Sequence, residues 1–470
     1  MTIKIKNICC IGAGYVGGPT MAVIAKHCKD IQVNVVDINK KRINDWNSNN
    51  LDKLPIYEPG LAEIIIKTRG NNLHFSNLVQ ENIASADMIF ISVNTPTKKS
   101  GFGAGKASDL KWIDLCAREI SKYACGHTIV VEKSTLPIKT ADTIKQILGS
   151  SKKTPAGELK TFSVLSNPEF LSEGTAINDL ENPDRILIGG EEKESIDTLI
   201  SIYKNWVPEE KILTTNIWSS ELSKLISNAF LAQRISSINS ISALCEKTGA
   251  NIKEVSLAIG GDKRIGKKFL NTGPGFGGSC FKKDILNLIY ICNHYGLPEV
   301  SNYWSKVIDI NQWQTKRISR LVVEKLFGTL TSKRIGILGF SYKANTNDTR
   351  ESPAINICKD LLEEGAILQI YDPKVSFEQV EYELENCVEL DGKKNISKFN
   401  WIYSETMEKA SEGCDALIIL TEWDEFSKIN WGLISDKMRS PAWIFDTRLI
   451  SNSKEATNYG LNVWNVGIGD

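Results

Sequence analysis

The sequence predicts an α/β protein with two doubly wound, Rossmann-like domains, joined by a long central helix and a helical middle domain. Three observations carry this. An apolar run enters Gly12-Ala13-Gly14-Tyr15-Val16-Gly17 near the start of the chain, and a helical stretch follows. The same order of signals recurs from Arg334. Between them, residues 219–248 contain no proline or glycine and hold apolar residues at helical spacing.

In order, residues 3–11 read as strand-like, with the apolar core at 8–11, and residues 20–26 as helix. Residues 33–37 form a second strand that ends on Asp37. Residues 86–93 are a buried strand that stops at the turn-prone Asn94-Thr95-Pro96-Thr97, and 128–132 and 162–165 continue the alternation. In the far half, a strand over 334–340 ends in glycine, 366–371 ends at Asp372, and 414–420 mirrors the segment from Ala86. The middle is helical over 219–248, about 283–295 and about 300–327, with Gly249 stopping the first stretch. That helix is roughly 45 Å long at 1.5 Å per residue and suits a spacer, a dimer surface, or both. The expected domains are residues 1–215, 216–330 and 331–470.

Lysine plus arginine and aspartate plus glutamate balance at 56 each, so no global field attracts nucleic acid or an acidic membrane. Eleven cysteines, none spaced Cys-x-x-Cys, argue against disulfides and zinc and for a reducing, cytoplasmic compartment. The four histidines have no metal-ligand spacing. No leader precedes the first strand and no apolar run approaches the ~20 residues of a membrane span. The expectation is therefore no metal, no nucleic acid and no membrane.

A lone Gly-x-Gly-x-x-Gly is a weak signal. Here a strand precedes it, a helix follows, and Asp37 stands 20 residues past Gly17. That context points to a dinucleotide whose pyrophosphate sits on the helix N-terminus, with Asp37 accepting from the ribose hydroxyls. A carboxylate there repels a 2′-phosphate, so NAD is favoured over NADP. Arg42 is placed to meet a phosphate or stack on adenine. The second turn, at Gly336 and Gly339, lacks the third glycine. It reads either as a structural half or as a nucleotide site for a different ligand, with Lys343 and Arg350 as partners.

Gly273-Pro274-Gly275-Phe276-Gly277-Gly278-Ser279-Cys280 is the most informative segment. Ser279 is expected to cap the following helix. Cys280 then lies at a helix start beside Lys282 and Lys283, features that lower a thiol pKa and favour a nucleophilic thiolate. Most free cysteines are small buried hydrophobes, and the other ten fit that reading. Asp284, four residues on, shares a helix face with Cys280. On the long helix, Glu221, Lys224 and Asn228 form one polar stripe among apolar neighbours, which suggests burial.

These motifs, with Leu54-Pro55-Ile56-Tyr57-Glu58-Pro59-Gly60-Leu61, Glu132-Lys133-Ser134-Thr135, Ser166-Asn167-Pro168-Glu169-Phe170-Leu171, Asn182-Pro183-Asp184-Arg185 and Asn347-Asp348-Thr349-Arg350-Glu351-Ser352, name a family. The chain resembles the UDP-glucose 6-dehydrogenases of the eukaryotic type, within the UDP-glucose/GDP-mannose dehydrogenase family. The resemblance implies oxidation of UDP-glucose by two NAD and water to UDP-glucuronate, a precursor of glycans. It makes Cys280 the nucleophile, through a thiohemiacetal and then a thioester. It makes Lys224 and Asp284 the activators of water, Glu169 the general acid/base, Thr135 a neighbour of the reacting centre and Asn228 a sugar or oxyanion contact.

For NAD, the resemblance implies Gly12, Ala13, Gly14, Tyr15, Val16, Gly17, Asp37, Arg42, Val93, Asn94, Thr95, Pro96, Thr97, Ser134, Thr135, Glu173, Cys280 and Arg350. For UDP-glucose it implies Glu169, Phe170, Leu171, Glu173, Lys224, Asn228, Arg264, Phe269, Leu270, Asn271, Gly275, Phe276, Gly277, Tyr342, Lys343 and Arg448. It also implies a homo-oligomer, either a dimer or a hexamer built as a trimer of dimers. Asn271-Thr272-Gly273-Pro274 departs from the family pattern. The alternatives are a one-step sugar-acid or hydroxyacid dehydrogenase, a dehydrogenase of another nucleotide sugar, and a nucleotide-sugar-binding protein without activity.

Overall fold

A computed structural model of the chain describes residues 2–150, 153–154, 157, 159–385 and 400–469. It contains two compact units, Met1–Ser227 with Leu286–Tyr295, and Asn228–Ile285 with Gly296–Asp470. The helix Ile217–Thr248 begins in the first unit and continues into the second. Gly249, at φ +72°, stops it.

The first unit holds strands β1 (Asn7–Ile11), β2 (Gln32–Val36), β3 (Leu73–Ser76), β4 (Met88–Ile91), β5 (Gly126–Glu132), β6 (Lys160–Ser166), β7 (Ile186–Gly189) and β8 (Ile212–Thr215). They form one sheet in the order β3-β2-β1-β4-β5-β6-β7-β8. Every pairing is parallel except β6 with β7, which meet antiparallel at Ser166 and Gly189. The expected strand over residues 3–11 begins only at Asn7. Asp87 already occupies the Lys6 and Asn7 amides there, at 2.7 and 2.9 Å.

Strand β1 shows why the sheet is covered on both faces. Ile8 and Cys10 enter one core cluster, while Cys9 and Ile11 enter another. Period-2 alternation with apolar residues on both sides requires helices above and below, which is the parallel α/β solution.

The second unit holds β9 (Arg334–Leu338), β10 (Ile367–Tyr371), β11 (Trp401–Tyr403), β12 (Ala416–Ile419), β13 (Trp443–Asp446) and β14 (Asn462–Asn465). Their order, β11-β10-β9-β12-β13-β14, is wholly parallel and repeats the β3-β2-β1-β4-β5-β6 order of the first sheet. The two glycine turns therefore occupy equivalent places, at the strand beside the point where chain direction across the sheet reverses. Such switch points are where open α/β sheets bind ligands. The fold class is the one the sequence predicts, with a helical region between the two sheets. No helix among the described residues is long and apolar enough to cross a membrane.

Candidate functional site

The glycine turn between β1 and the helix Gly17–His27 separates structural need from ligand need. A Cβ on Gly17 would meet the Gly12 carbonyl oxygen at 2.0 Å, so the turn itself demands glycine there. A Cβ on Gly14 would meet nothing within 4 Å. Nothing in the fold requires glycine at that position, and the space over it suits a closely approaching pyrophosphate. The residues present thus fit NAD. Accordingly, Gly14→Ala is expected to leave thermal stability unchanged and to weaken NAD on the order of 10²-fold. Calorimetry and NAD titration check this, and unchanged NAD affinity would remove Gly14 from the cofactor site.

Asp37 follows β2 and is buried. Its carboxylate accepts from Ala13 N at 3.0 Å and Asn39 N at 2.8 Å, and it pairs with Arg42 Nη1 at 3.1 Å. Arg42 is therefore held by Asp37 itself. Tyr15 Oη accepts from Gly174 N at 3.3 Å, which brings the turn beside Glu173. Val16 stands at the helix N-cap without a side-chain cap.

The loops after β4 and β5 are stitched together. Ser134 Oγ donates to Val93 O at 2.7 Å, and Thr95 Oγ1 to Thr135 O at 3.0 Å. Pro96 O accepts from Asp109 N at 2.7 Å, and Thr97 bridges Ser108. Asn94 is exposed.

Glu169 follows β6. Its Oε1 accepts from Phe170 N at 2.8 Å and Leu171 N at 3.1 Å, and its Oε2 lies 3.0 Å from Lys133 Nζ. Burial pushes its pKa up, but Lys133 first, then the Phe170 amide and Lys224, outweigh burial and hold it below the ordinary value. Lys224 Nζ sits 5.2 Å from the Phe170 ring centroid, and the Arg185 guanidinium covers that ring at 3.9 Å.

The polar stripe of the long helix is buried: Glu221, Lys224 and Asn228 are all under 10% exposed. Glu221 accepts from Lys139 N at 2.7 Å and Ala141 N at 2.9 Å, at the start of the helix Thr140–Gly149. Burial pushes its pKa up to about 7.

In the second unit, residues 272–278 are buried and the chain then surfaces at Cys280, which is exposed. Of the ten described cysteines only Cys280 and Cys125 are exposed, and Cys125 lies just before β5. Cys387 lies outside the described residues.

The helix starts at Phe281, and Cys280 O accepts from Asp284 N at 2.9 Å. Cys280 itself is therefore the N-cap residue. This corrects the expected Ser279 cap: Ser279 Oγ instead lies 3.5 Å from the Cys280 sulfur.

The two lysines also divide. Lys282 pairs with Glu351 at 2.8 Å. Lys283 pairs with Asp284 at 2.8 Å, and Asp284 Oδ2 accepts from Asn228 Nδ2 at 2.6 Å. Burial lowers the Lys283 pKa, but Asp284 and then Cys280 raise it further, to a net value above the ordinary one.

The glycine loop is gripped from several sides. Gln314 Nε2 donates to Gly273 O at 2.9 Å, Thr315 Oγ1 to Pro274 O at 2.9 Å, and Asn311 Oδ1 accepts from Phe276 N at 2.7 Å. Asn239 Oδ1 accepts from Gly273 N at 2.9 Å. Sequence reasoning assigned none of these four; they stand among other polar residues, in Ser-Ser-Ile-Asn-Ser and Asn-Gln-Trp-Gln-Thr-Lys-Arg, and nothing local singles them out. Gly278, at φ +83°, would drive a Cβ to 3.0 Å from the Tyr342 ring, and Gly277 a Cβ to 2.5 Å from Glu351 O.

Arg448 Nε donates to Leu420 O at 2.8 Å, Nη1 pairs with Glu422 at 3.0 Å, and a Gly273 Cβ would lie 3.1 Å from that nitrogen. Loop, Tyr342 and Arg448 thus converge at the switch point of the second sheet. Lys343 Nζ lies 5.5 Å from the Tyr342 ring centroid.

Phe269, at φ +62°, has its ring 6.4 Å from Phe281, and Leu270 is buried while Asn271 is exposed. Arg350 pairs with Asp348 at 2.6 Å, and its carbonyl accepts from Gly278 N at 2.9 Å. Arg264 stands on an exposed stretch with its guanidinium on Asp262 at 2.6 Å.

Residues 6–207 match the NAD binding domain of the UDP-glucose/GDP-mannose dehydrogenase family, 218–313 its central domain and 336–453 its UDP binding domain. The chain belongs to the UDP-glucose/GDP-mannose dehydrogenase family. Within the family it is 52% identical to a Mus musculus UDP-glucose 6-dehydrogenase, over 99% of this chain and 94% of that one. It is also 52% identical to UDP-glucose 6-dehydrogenase 4 of Arabidopsis thaliana, over 98% and 97%. Among solved family structures, a UDP-glucose dehydrogenase of Pyrobaculum islandicum superposes with a TM-score of 0.83 at 28% identity, covering 99% of this chain and 98% of that one.

Proposed function

We propose that this family member oxidises UDP-glucose to UDP-glucuronate in two NAD-dependent steps, with Cys280 as the covalent nucleophile. The observation that carries the reading is the exposed Cys280 thiol at a helix N-terminus, backed by Lys283, Asp284 and Asn228. NAD, when bound, accepts one hydride per step. One oxidation of an alcohol needs only a base. A second oxidation at the same carbon needs a tetrahedral species able to expel hydride, and the thiolate supplies it as a thiohemiacetal. The resulting thioester is hydrolysed by one water.

The roles that follow are these. Glu169 exchanges the protons of thioester hydrolysis, and Lys224 and Asp284 activate water. Asn228 contacts the sugar or its oxyanion, and Thr135 lies near the reacting carbon. The Gly12–Gly17 turn, Asp37, Arg42, the loops at 93–97 and 134–135, Glu173 and Arg350 serve NAD. Phe170, Leu171, Phe269 to Gly277, Tyr342, Lys343, Arg264 and Arg448 serve UDP-glucose; the guanidinium groups suit its diphosphate. We divide the chain functionally at 1–215 for NAD, 216–330 for the chemistry and 331–470 for the UDP-sugar.

Phe230, Ile241 and Leu244 lie exposed on the long helix, which favours a homo-dimer or a hexamer built from dimers. The ten described cysteines are free thiols, which favours a reducing, cytoplasmic setting.

Counting NADH tests the reading. Two NADH per UDP-glucose are expected, with little turnover of GDP-mannose. One NADH per substrate would favour a one-step dehydrogenase, and none would leave a binding protein.

A further inference from the structure

We propose that Lys133, a residue outside the chemistry described above, is the positioning residue that fixes Glu169 as an oriented anion. This rests on the reading of Glu169 as the group that exchanges protons during hydrolysis.

Lys133 is one of the largest fully buried side chains of the protein, 2% exposed, at the C-terminal end of β5. A buried ammonium is costly unless every donor is engaged. Its Nζ lies 3.0 Å from Glu169 Oε2, 3.0 Å from Asn167 Oδ1 and 3.2 Å from Tyr203 Oη. Two of its N–H bonds thus donate to Asn167 and Tyr203, and Glu169 supplies the counter-charge as an ion pair. Tyr203 Oη in turn donates to Asn167 Oδ1 at 2.5 Å, and Asn167 Nδ2 donates to Leu187 O at 2.8 Å. The ammonium, just past the end of β5, is thereby tied to the end of β6, to β7 through Asn167, and to the helix Lys193–Tyr203.

The two oxygens of Glu169 divide their duties. Oε1 is held by the Phe170 and Leu171 amides, and Oε2 is paired with Lys133. The other charged and titratable groups facing this carboxyl are Lys224 from the long helix and Tyr203 from the helix Lys193–Tyr203. Burial by itself raises the Glu169 pKa, and Lys133 is the largest opposing influence. Without that cation the carboxylate would accept its proton at a higher pH and lose its fixed direction. A carboxylate that must act ionised fails as pH falls through its own pKa, so removing Lys133 moves that failure upward in pH.

The test compares pH profiles of kcat for UDP-glucuronate formation in wild type, Lys133→Met, Glu169→Gln and the double variant. Lys133→Met is expected to move the acid limb up by about one pH unit or more. Glu169→Gln is expected to lower kcat on the order of 10²–10⁴-fold. The double variant is expected to be no slower than Glu169→Gln alone. A loss in Lys133→Met without movement of the limb would show a merely structural role and overturn the proposal. So would a loss from Lys133→Met that is equally large with and without Glu169→Gln. Wild-type turnover in Glu169→Gln would instead overturn the reading of Glu169. If Lys133→Met does not fold, Tyr203→Phe takes its place. Loss of that hydroxyl loosens the ammonium, and a smaller upward movement of the same limb is expected; no movement overturns the proposal.

Discussion

Replacing Cys280 by serine is expected to cut UDP-glucuronate formation on the order of 10⁴–10⁶-fold, the range seen when an enzyme loses its nucleophile. The fold should survive. Cys280 is exposed, its carbonyl receives the Asp284 amide, and its sulfur lies 3.5 Å from Ser279 Oγ and within electrostatic reach of Lys283. None of these needs a thiol. What serine cannot supply is a sulfur nucleophile, since an alcohol holds its proton far more tightly than a thiol and attacks more weakly. The first hydride transfer needs no nucleophile and is expected to persist as a burst of no more than one NADH per active site. Stopped-flow absorbance and mass spectrometry of the products check both parts. Two NADH per UDP-glucose at the normal rate would end the nucleophile assignment.

The second large effect concerns stability. Asp284→Ala is expected to cost about 3 kcal/mol or more, the scale of breaking a buried ion pair from one side. Asp284 is 1% exposed and holds two donors, Lys283 Nζ at 2.8 Å and Asn228 Nδ2 at 2.6 Å. Alanine removes the acceptor for both and leaves the Lys283 ammonium, whose side chain is 19% exposed, without this counter-charge.

The sign with pH follows from Lys283. Its folded pKa is raised, so the pair's contribution is fully present below its unfolded value near 10.5 and is lost only as pH climbs through the raised value. The gap between wild type and Asp284→Ala should therefore stay constant from about pH 6 to 9. Urea unfolding across that range measures it. Asp284→Asn keeps the shape and removes the charge, so it separates the ion pair from the hydrogen bond to Asn228. A cost for Asp284→Ala under about 1 kcal/mol would mean that Lys283 finds water or another partner.

Much of the fold was legible because its signals are local. Strand β1 alternates between two cores over Ile8 to Ile11, and the helix Ile217–Thr248 lacks any breaker, so period and punctuation were enough. Strands β3, β7, β8, β11, β13 and β14 were not read in advance. Each is short, three or four residues, and apolar runs of that length carry no period of their own. The antiparallel meeting of β6 and β7 was equally hidden, since one pairing at Ser166 and Gly189 leaves no mark in sequence.

The candidate site divides in the same way. Sequence by itself determined that Cys280 differs from its fellow thiols, because a glycine loop, a helix start and nearby lysines are all neighbours along the chain. It also singled out the glycine turn we propose for NAD, where glycine spacing and Asp37 lie within one βαβ unit. Tertiary structure alone decided which lysine serves which acid: Lys282 meets Glu351, Lys283 meets Asp284, and Lys133 crosses to Glu169. It decided that Arg42 is held by Asp37, and that Asn239, Asn311, Gln314 and Thr315 brace the loop. The physical reason is that a side chain's charge and reach can be read from its type. Its partner depends on which strands and helices the packed core sets side by side, and residues as far apart as Lys133 and Tyr203 become neighbours only then.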